Sequence, residues 1–472
     1  MIGALLLALA AAVATPAAPP RVTVPGGLVE GERTVDRLLF RGIPYAAPPV
    51  GQLRWRAPAR VQKWQGVRGA TREASACLQN DYGWNHHDHV IGSEDCLAVD
   101  VGTSSLDGRR PVLVWIHGGS NRAGSPGEMI RSALVARGIV VVGIRYRLGI
   151  FGFLSHRGFG GTSGNYGLMD QMAALRWVKD NITRFGGDPA RITIMGESAG
   201  AQDVGLLQAA PAARGLFAQA IMGSGTPGFG IAWRPLAEAQ RIGDQLDGLL
   251  GGVDPRRASA NALLAADLKL HDAWLTSDDY MWLRTTIDGS VLPASPAQLL
   301  RTARPVPLLI GTNVFELDLP GGRGWRDAFL ARSYGAAEPQ ARAYYGIEGG
   351  NDPAADPRAG TVDQRIATDA TFACPAQRFA AIAAARGAPV WQYVFDGAPD
   401  GGMTAHGREL SFIFGNARLG TADLQGLWSR FIVTGTPGHA WPRFPERQRL
   451  DAKGAYPDPS PPSPLCSLTD TL

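Results

Sequence analysis

The chain is poor in lysine. Among 46 basic residues in 472, only Lys63, Lys179, Lys269 and Lys453 are lysine; the others are arginine. No run of Lys or Arg reaches five, and the formal net charge is only +4. Neither a nucleic-acid surface nor an anionic-membrane surface is indicated. Cysteine is scarce as well, at four residues. No C-x-x-C or H-E-x-x-H frame occurs, so the usual zinc signatures are missing. His86, His87, Asp88 and His89 form a polar cluster outside any such frame, and they read as solvent-exposed rather than as a metal site. No internal repeat is visible. Beyond the N-terminus, no apolar run approaches the roughly 20 residues that cross a bilayer.

What is present suits a large globular enzyme. Apolar residues make up 45% and charged residues 19%, ordinary for a chain with a sizeable core. Ile2 to Val13 is almost wholly Ala and Leu, and Ala12-Val13-Ala14 fits a small-residue cleavage site. Pro16, Pro19 and Pro20 then stop any helix. Residues 1–14 (to about 20) therefore read as a secretory signal peptide, although no Lys or Arg precedes the apolar run. The even cysteine count agrees with an oxidising compartment, and three pairings are open.

Periodicity gives the fold class. Arg21 to Val24 followed by Gly26-Gly27 reads as a hairpin start. Arg41 to Pro49 reads as an irregular, proline-stiffened loop. Pro111–Ile116 and Gly138–Arg145 are near-continuous apolar runs, the pattern of parallel strands covered on both faces. Met172, Leu175, Trp177, Val178 and Ile182 fall on one helical stripe. Gly186-Gly187-Asp188-Pro189 ends that helix, strand Arg191–Met195 follows, and a helix runs from about Ala199 to Ala209. Ala218–Met222, Val306–Ile310 and Val390–Phe395 are the later strands. The alternation predicts an α/β fold with a mostly parallel sheet. Residues 21–472 read as a single domain with cap-like insertions around 225–300 and 320–400.

The chemistry centres on Gly196-Glu197-Ser198-Ala199-Gly200. A strand feeding G-x-S-x-G is a sharp turn into a helix, with a serine hydroxyl held clear of the backbone. A serine needs a base, the base needs an orienting acid, and the developing oxyanion needs donors. Trp115-Ile116-His117-Gly118-Gly119-Ser120 is a strand running into a glycine-rich loop, so Gly118 and Gly119 can turn N–H groups toward a ligand. Ala199, next after Ser198, would add a third. The partners follow in the order Ser, acid, His. Glu316 lies on a loop after strand Val306–Ile310, with Asp318 as its rival. His406 lies in the loop Gly401–Gly407, with His439 as its rival in a plain post-helix turn. His117 shapes the glycine loop. Phe229, Trp233, Trp274, Tyr280 and Trp282 could line a pocket or simply pack.

These residues resemble the type B carboxylesterase/cholinesterase family. Phe40 to Gly51 is similar to its N-terminal block, and Ser93-Glu94-Asp95-Cys96-Leu97 to its second signature. Asn165 to Gln171, Phe185 to Pro189 and Gly196 to Gly200 resemble the stretch around its active serine. Glu409 to Gly415 resembles the block after its histidine. The resemblance implies an α/β-hydrolase fold: a central, mostly parallel twisted sheet with helices on both faces and insertion loops forming an active-site gorge. It implies a secreted carboxylic-ester hydrolase acting on a small-molecule ester through an acyl-enzyme, with no cofactor or metal, no nucleic-acid partner and no membrane insertion after signal cleavage. Ser198 would be the nucleophile, Glu316 the acid and His406 the base. Gly118, Gly119 and Ala199 would form the oxyanion hole, and Glu197 would organise the site's electrostatics. Cys77–Cys96 and Cys374–Cys466 resemble two of the family's disulfides. Asp203 stands where a small polar residue is common, and Val314-Phe315-Glu316-Leu317 departs from the usual acid motif. Two other readings are a non-catalytic adhesion or binding protein on this fold, whose relatives lack a working triad, and an interfacial lipase. The lipase would want a longer apolar lid than residues 78–95.

Overall fold

The computed structural model describes residues 18–160, 164–275, 277–317, 323–349, 351–398, 402–460 and 462–468. The expected signal segment 1–14 and Asp318 lie outside the described residues. The apolar runs become strands buried on both faces. One sheet collects eleven strands among the described residues. They are β1 (Glu32–Arg33), β2 (Leu38–Pro44), β3 (Ala98–Thr103), β4 (Arg110–Ile116), β5 (Val140–Ile144) and β6 (Gly187–Glu197), then β7 (Gln219–Gly223), β8 (Leu308–Asn313), β9 (Val390–Asp396), β10 (Arg447–Asp451) and β11 (Gly454–Pro457). Their spatial order is β11-β10-β9-β8-β7-β6-β4-β5-β3-β2-β1. Every pairing from β10 across to β5 is parallel. The pairs at the two edges are antiparallel.

Alternation along each strand builds two cores. Val112, Val114 and Ile116 of β4 face one side, and Leu113 and Trp115 face the other. The first side packs Leu168, Met172 and Leu175 of helix α1 (Tyr166–Asn181), Val204 and Leu207 of α2 (Ala199–Ala209), and Phe379 of α3 (Cys374–Ala385). The second packs Trp428, Phe431 and Ile432 of α4 (Leu424–Thr434). Helices therefore cover both faces, and period-2 patterning is invisible because each face is apolar. Trp177, Val178 and Ile182 of the expected helical stripe are buried too.

Two local expectations change. The strand read as Arg191–Met195 begins at Gly187. Gly186 takes a left-handed turn, and Gly187 pairs with Arg110 across a register shift, so the helix passes into β6 with no free loop. The first half of the loop expected over Arg41–Pro49 lies in β2. Buried Phe40 and Ile43 pin it, and a bulge between them is capped by Gly42 N donating to Asp100 Oδ1 at 2.7 Å. A bulge resists detection because the extra residue breaks the alternation.

The range 225–300 contributes helices Leu236–Leu249, Ala260–Asp267 and Pro296–Thr302. Within 320–400, helices Arg323–Tyr334 and Glu338–Tyr345 precede helix Val362–Ala367, whereas α3 and β9 belong to the central layers. A π-helical turn, Thr368–Ala373, joins Val362–Ala367 to α3. Both disulfides are formed, Cys77–Cys96 and Cys374–Cys466, and the second ties the C-terminal segment to the first residue of α3. Among the described residues, no helix is long and apolar enough to cross a membrane.

Candidate active site

Ser198 stands between β6 and α2 with φ +56 and ψ −127. A non-glycine residue in that region is strained by about 1–3 kcal/mol. The surrounding packing holds it there. Ser198 N donates to Gly223 O at 2.9 Å, and Gln202 N donates to Ser198 O at 3.0 Å. A Cβ on Gly196 would stand 2.2 Å from Gly200 C, and one on Gly200 would stand 2.1 Å from Ile116 O. Both flanking glycines are therefore demanded by close backbone contact.

The glycine loop after β4 lies against this turn. A Cβ on Gly118 would stand 2.7 Å from Glu197 O and 3.1 Å from Ser198 Cβ. His117 is buried, stacks on Tyr146 at 4.5 Å, and donates from Nδ1 to Gly118 O at 2.9 Å. Burial pushes its imidazole down to about 4, so near neutral pH it is an uncharged prop for the loop. Tyr146 Oη donates to His117 O at 2.7 Å.

The histidine and the acids meet beside it. His406 Nδ1 lies 2.7 Å from Glu316 Oε2. Glu316 is buried, its Oε1 accepts from Asn313 N at 2.7 Å, and its own N donates to Thr368 Oγ1 at 3.3 Å. His406 N donates to Glu316 O at 3.2 Å. On the other edge of the ring, His406 Nε2 lies 3.1 Å from Glu197 Oε1. Among the described residues, Ser198 Oγ and His406 share no hydrogen bond. Burial opposes protonation of the imidazole, but the Glu197 and Glu316 carboxylates, with Glu409, outweigh it and raise it to about 9. Burial also pushes Glu197 up to about 7, against the pull of His406, and Glu409 up to about 8. Glu197, Glu409 and His406 lie close enough together that the protonation of each depends on the others.

Several of these groups escape sequence reasoning. Glu409 is buried and accepts from Asn313 Nδ2 at 3.3 Å; it belongs to the block after His406, but nothing in its spacing marks it. Thr368 and Phe372 come from the π-helical turn, a feature frequent at functional sites. Phe372 packs on His406 at 5.2 Å and on Phe229 at 5.5 Å. Phe229 and Phe372 also join Ala199 and Leu283 in a small buried cluster. Beyond it an apolar cavity is lined by Phe229, Trp274, Leu275, Tyr280 and Phe329. Of the other singled-out aromatics, Trp233 is half exposed. Trp282 is buried and donates to Asp267 Oδ1 at 3.2 Å, a packing role.

The rivals fall elsewhere. His439 is exposed in the turn after α4. His86 is exposed and bonds Asp81, and no metal-binding cluster occurs among the described residues. The Cys77–Cys96 loop is pinned down: Tyr82 stacks on Trp84 and donates to Asp267 Oδ2 at 2.5 Å, with the Arg122 guanidinium 4.6 Å over its ring.

Comparison with known proteins identifies the family. The model of the carboxylesterase family matches residues 18–320. The chain is 34% identical to the para-nitrobenzyl esterase of Bacillus subtilis (strain 168), over 91% of this chain and 93% of that protein. It is 33% identical to the fumonisin B1 esterase of Sphingopyxis macrogoltabida, over 91% and 85%. A solved thermophilic para-nitrobenzyl esterase superposes with a TM-score of 0.82 at 31% identity, covering 94% of this chain and 98% of that one. The chain belongs to the carboxylesterase family, and it is a carboxylic-ester hydrolase with the α/β-hydrolase fold.

Proposed function

We propose that this carboxylesterase works through a Ser198–His406–Glu316 triad, with the N–H groups of Gly118, Gly119 and Ala199 as its oxyanion hole. The observation that carries the reading is the 2.7 Å contact between His406 Nδ1 and the buried Glu316 carboxylate, at the C-terminal ends of the central strands, where the strained Ser198 also stands. Glu316 keeps the proton on Nδ1, so in the neutral ring Nε2 carries the lone pair that acts as the base once it turns from Glu197 to Ser198. Nε2 takes the Ser198 proton as Oγ bonds to the ester carbonyl carbon. The oxyanion is held by the loop and helix N–H groups. As the tetrahedral species collapses, the alcohol leaves with the proton from Nε2 and an acyl-serine remains. Water then attacks, gives its proton to Nε2, and the acid departs as Ser198 recovers it. The cavity beside Phe229 supports an apolar or aromatic group on the ester.

Export belongs to the same reading. Two disulfides and an apolar N-terminus support a secreted or periplasmic enzyme, cleaved near Ala14 and acting as one domain over 21–472. The test is Ser198→Ala with p-nitrophenyl acetate, paired with organophosphate labelling and peptide mapping. In the variant, turnover should vanish while the circular dichroism spectrum is kept; in the wild type, the label should map to Ser198. Retained turnover would remove the mechanism.

A further inference from the structure

The glycine loop is wound against the usual preference of its residues. Ser120 and Asn121 follow Gly119 with φ +55 and +54, two consecutive non-glycine residues in the left-handed region. Asn tolerates that region better than most residues, yet a loop built this way must be held. Asn121 is fully buried. Its carbonyl accepts from Gly149 N at 2.6 Å, its Oδ1 lies 3.3 Å from Tyr146 Oη, and its Nδ2 donates to Asp203 Oδ1 at 3.2 Å.

Asp203 lies on α2, the helix that starts just after Ser198, and it is also fully buried. Its Oδ2 accepts from Gln171 Nε2 on α1 at 2.5 Å. Among the described residues, no Lys, Arg or His pairs with it. A buried carboxyl without a cation is costly, and burial pushes this one up to about 7 against the pull of the Gln171, Asn121 and Gln202 amides. Packing alone gives no reason for an acid here. Its contacts do: one carboxyl joins the nucleophile's helix to the turn that aims Gly118 and Gly119.

We propose that Asp203 is a positioning residue that clamps Asn121 in its left-handed turn and so holds the Gly118 and Gly119 N–H groups on the oxyanion formed at Ser198. The proposal rests on the oxyanion-hole reading above. It concerns the transition state alone, because the charge on the oxygen develops there.

Asn121→Asp tests it directly when assayed at alkaline pH, well above the value of about 7 to which burial raises Asp203, since two ionised carboxylates then face each other at the 3.2 Å contact in place of a donor and an acceptor. Its kcat should fall about 10–100-fold with KM within about twofold, the pattern of an interaction made only in the transition state. Affinity for a trifluoromethyl ketone, which forms a tetrahedral oxyanion on the serine, should fall by the same factor. Adding Asp203→Asn restores a donor opposite the new carboxylate, so Asn121→Asp/Asp203→Asn should recover most of both losses. The proposal is overturned if Asn121→Asp lowers only the melting midpoint, or if the double variant is no better than the single. Should Asn121→Asp not fold, Asp203→Ser removes the clamp without adding charge, and wild-type kcat and inhibitor affinity there overturn it equally. Ser198→Ala separates the two levels. A dead Ser198→Ala with unaffected Asp203→Ser sinks this proposal only, whereas an active Ser198→Ala sinks the reading beneath it.

Discussion

His406 Nε2 lies 3.1 Å from Glu197 Oε1, on the ring edge opposite its contact with Glu316. The imidazole is thus held between two buried acids. Each favours the protonated ring, and only the neutral ring can accept a proton from Ser198.

The first prediction follows from that competition. Since the base must be neutral, kcat/KM should rise with pH through the titration of His406. With the imidazole raised to about 9, the acid limb should lie above the ordinary histidine value of about 6.5. Glu197→Gln removes one adjacent negative charge, so the ring loses its proton more readily and the limb should move to lower pH. Profiles of kcat/KM for p-nitrophenyl acetate, measured side by side, check this. Superimposable limbs would count against it.

Glu316→Gln should be far more damaging. The glutamine amide can donate to Nδ1, which would move the ring proton to Nε2, the nitrogen that must stay free. A fall in kcat on the order of 10³–10⁴ is expected for the wrong tautomer, with little change in KM. Steady-state kinetics on the purified variant decide it, and a loss below about tenfold would show that Glu316 does not orient the base.

How much of this site can be read from sequence depends on the reach of each contact. Ser198 and its two glycines are legible because the constraint is local, with Gly196 and Gly200 touching each other. Gly118 and Gly119 are legible because a glycine pair after a buried strand has few other uses. The His406–Glu316 contact spans 90 positions, so spacing yields an order of residues and a choice between rivals, not a pairing. Thr368 and Phe372 are silent, because a π-helical turn is imposed by packing and leaves no period. Asp203 stands out as an odd residue without an account, since its partners lie 82 and 32 positions away on other elements. The central strands are legible as apolar runs. The bulge in β2 and the early start of β6 are not, because pairing partners set both.

The C-terminal disulfide should matter for stability. Cys374–Cys466 closes a span of 92 positions and ties the tail to the start of α3, directly after the turn that carries Phe372. Long closures restrict the unfolded chain most, and loss of a native disulfide typically costs about 2–5 kcal/mol. The double variant Cys374→Ser/Cys466→Ser should therefore unfold at lower denaturant, compared with the wild type under oxidising conditions. An unchanged midpoint would show that the link is idle.

The glycine loop offers a test of the oxyanion geometry that leaves every ionisable group in place. Alanine at 118 would put its Cβ 2.7 Å from Glu197 O and 3.1 Å from Ser198 Cβ. The first contact is with backbone, so no flexible side chain can yield, and the loop must back away from the serine turn. Loss of one well-aimed donor costs about 10²–10³ in kcat, and Gly118→Ala should fall in that range with KM little changed. Gly69→Ala is the matched control, because a Cβ there meets nothing within 4 Å and the residue is exposed. Near-wild-type kcat in Gly118→Ala, with Gly69→Ala equally active, would mean that the amides of this loop do not hold the oxyanion.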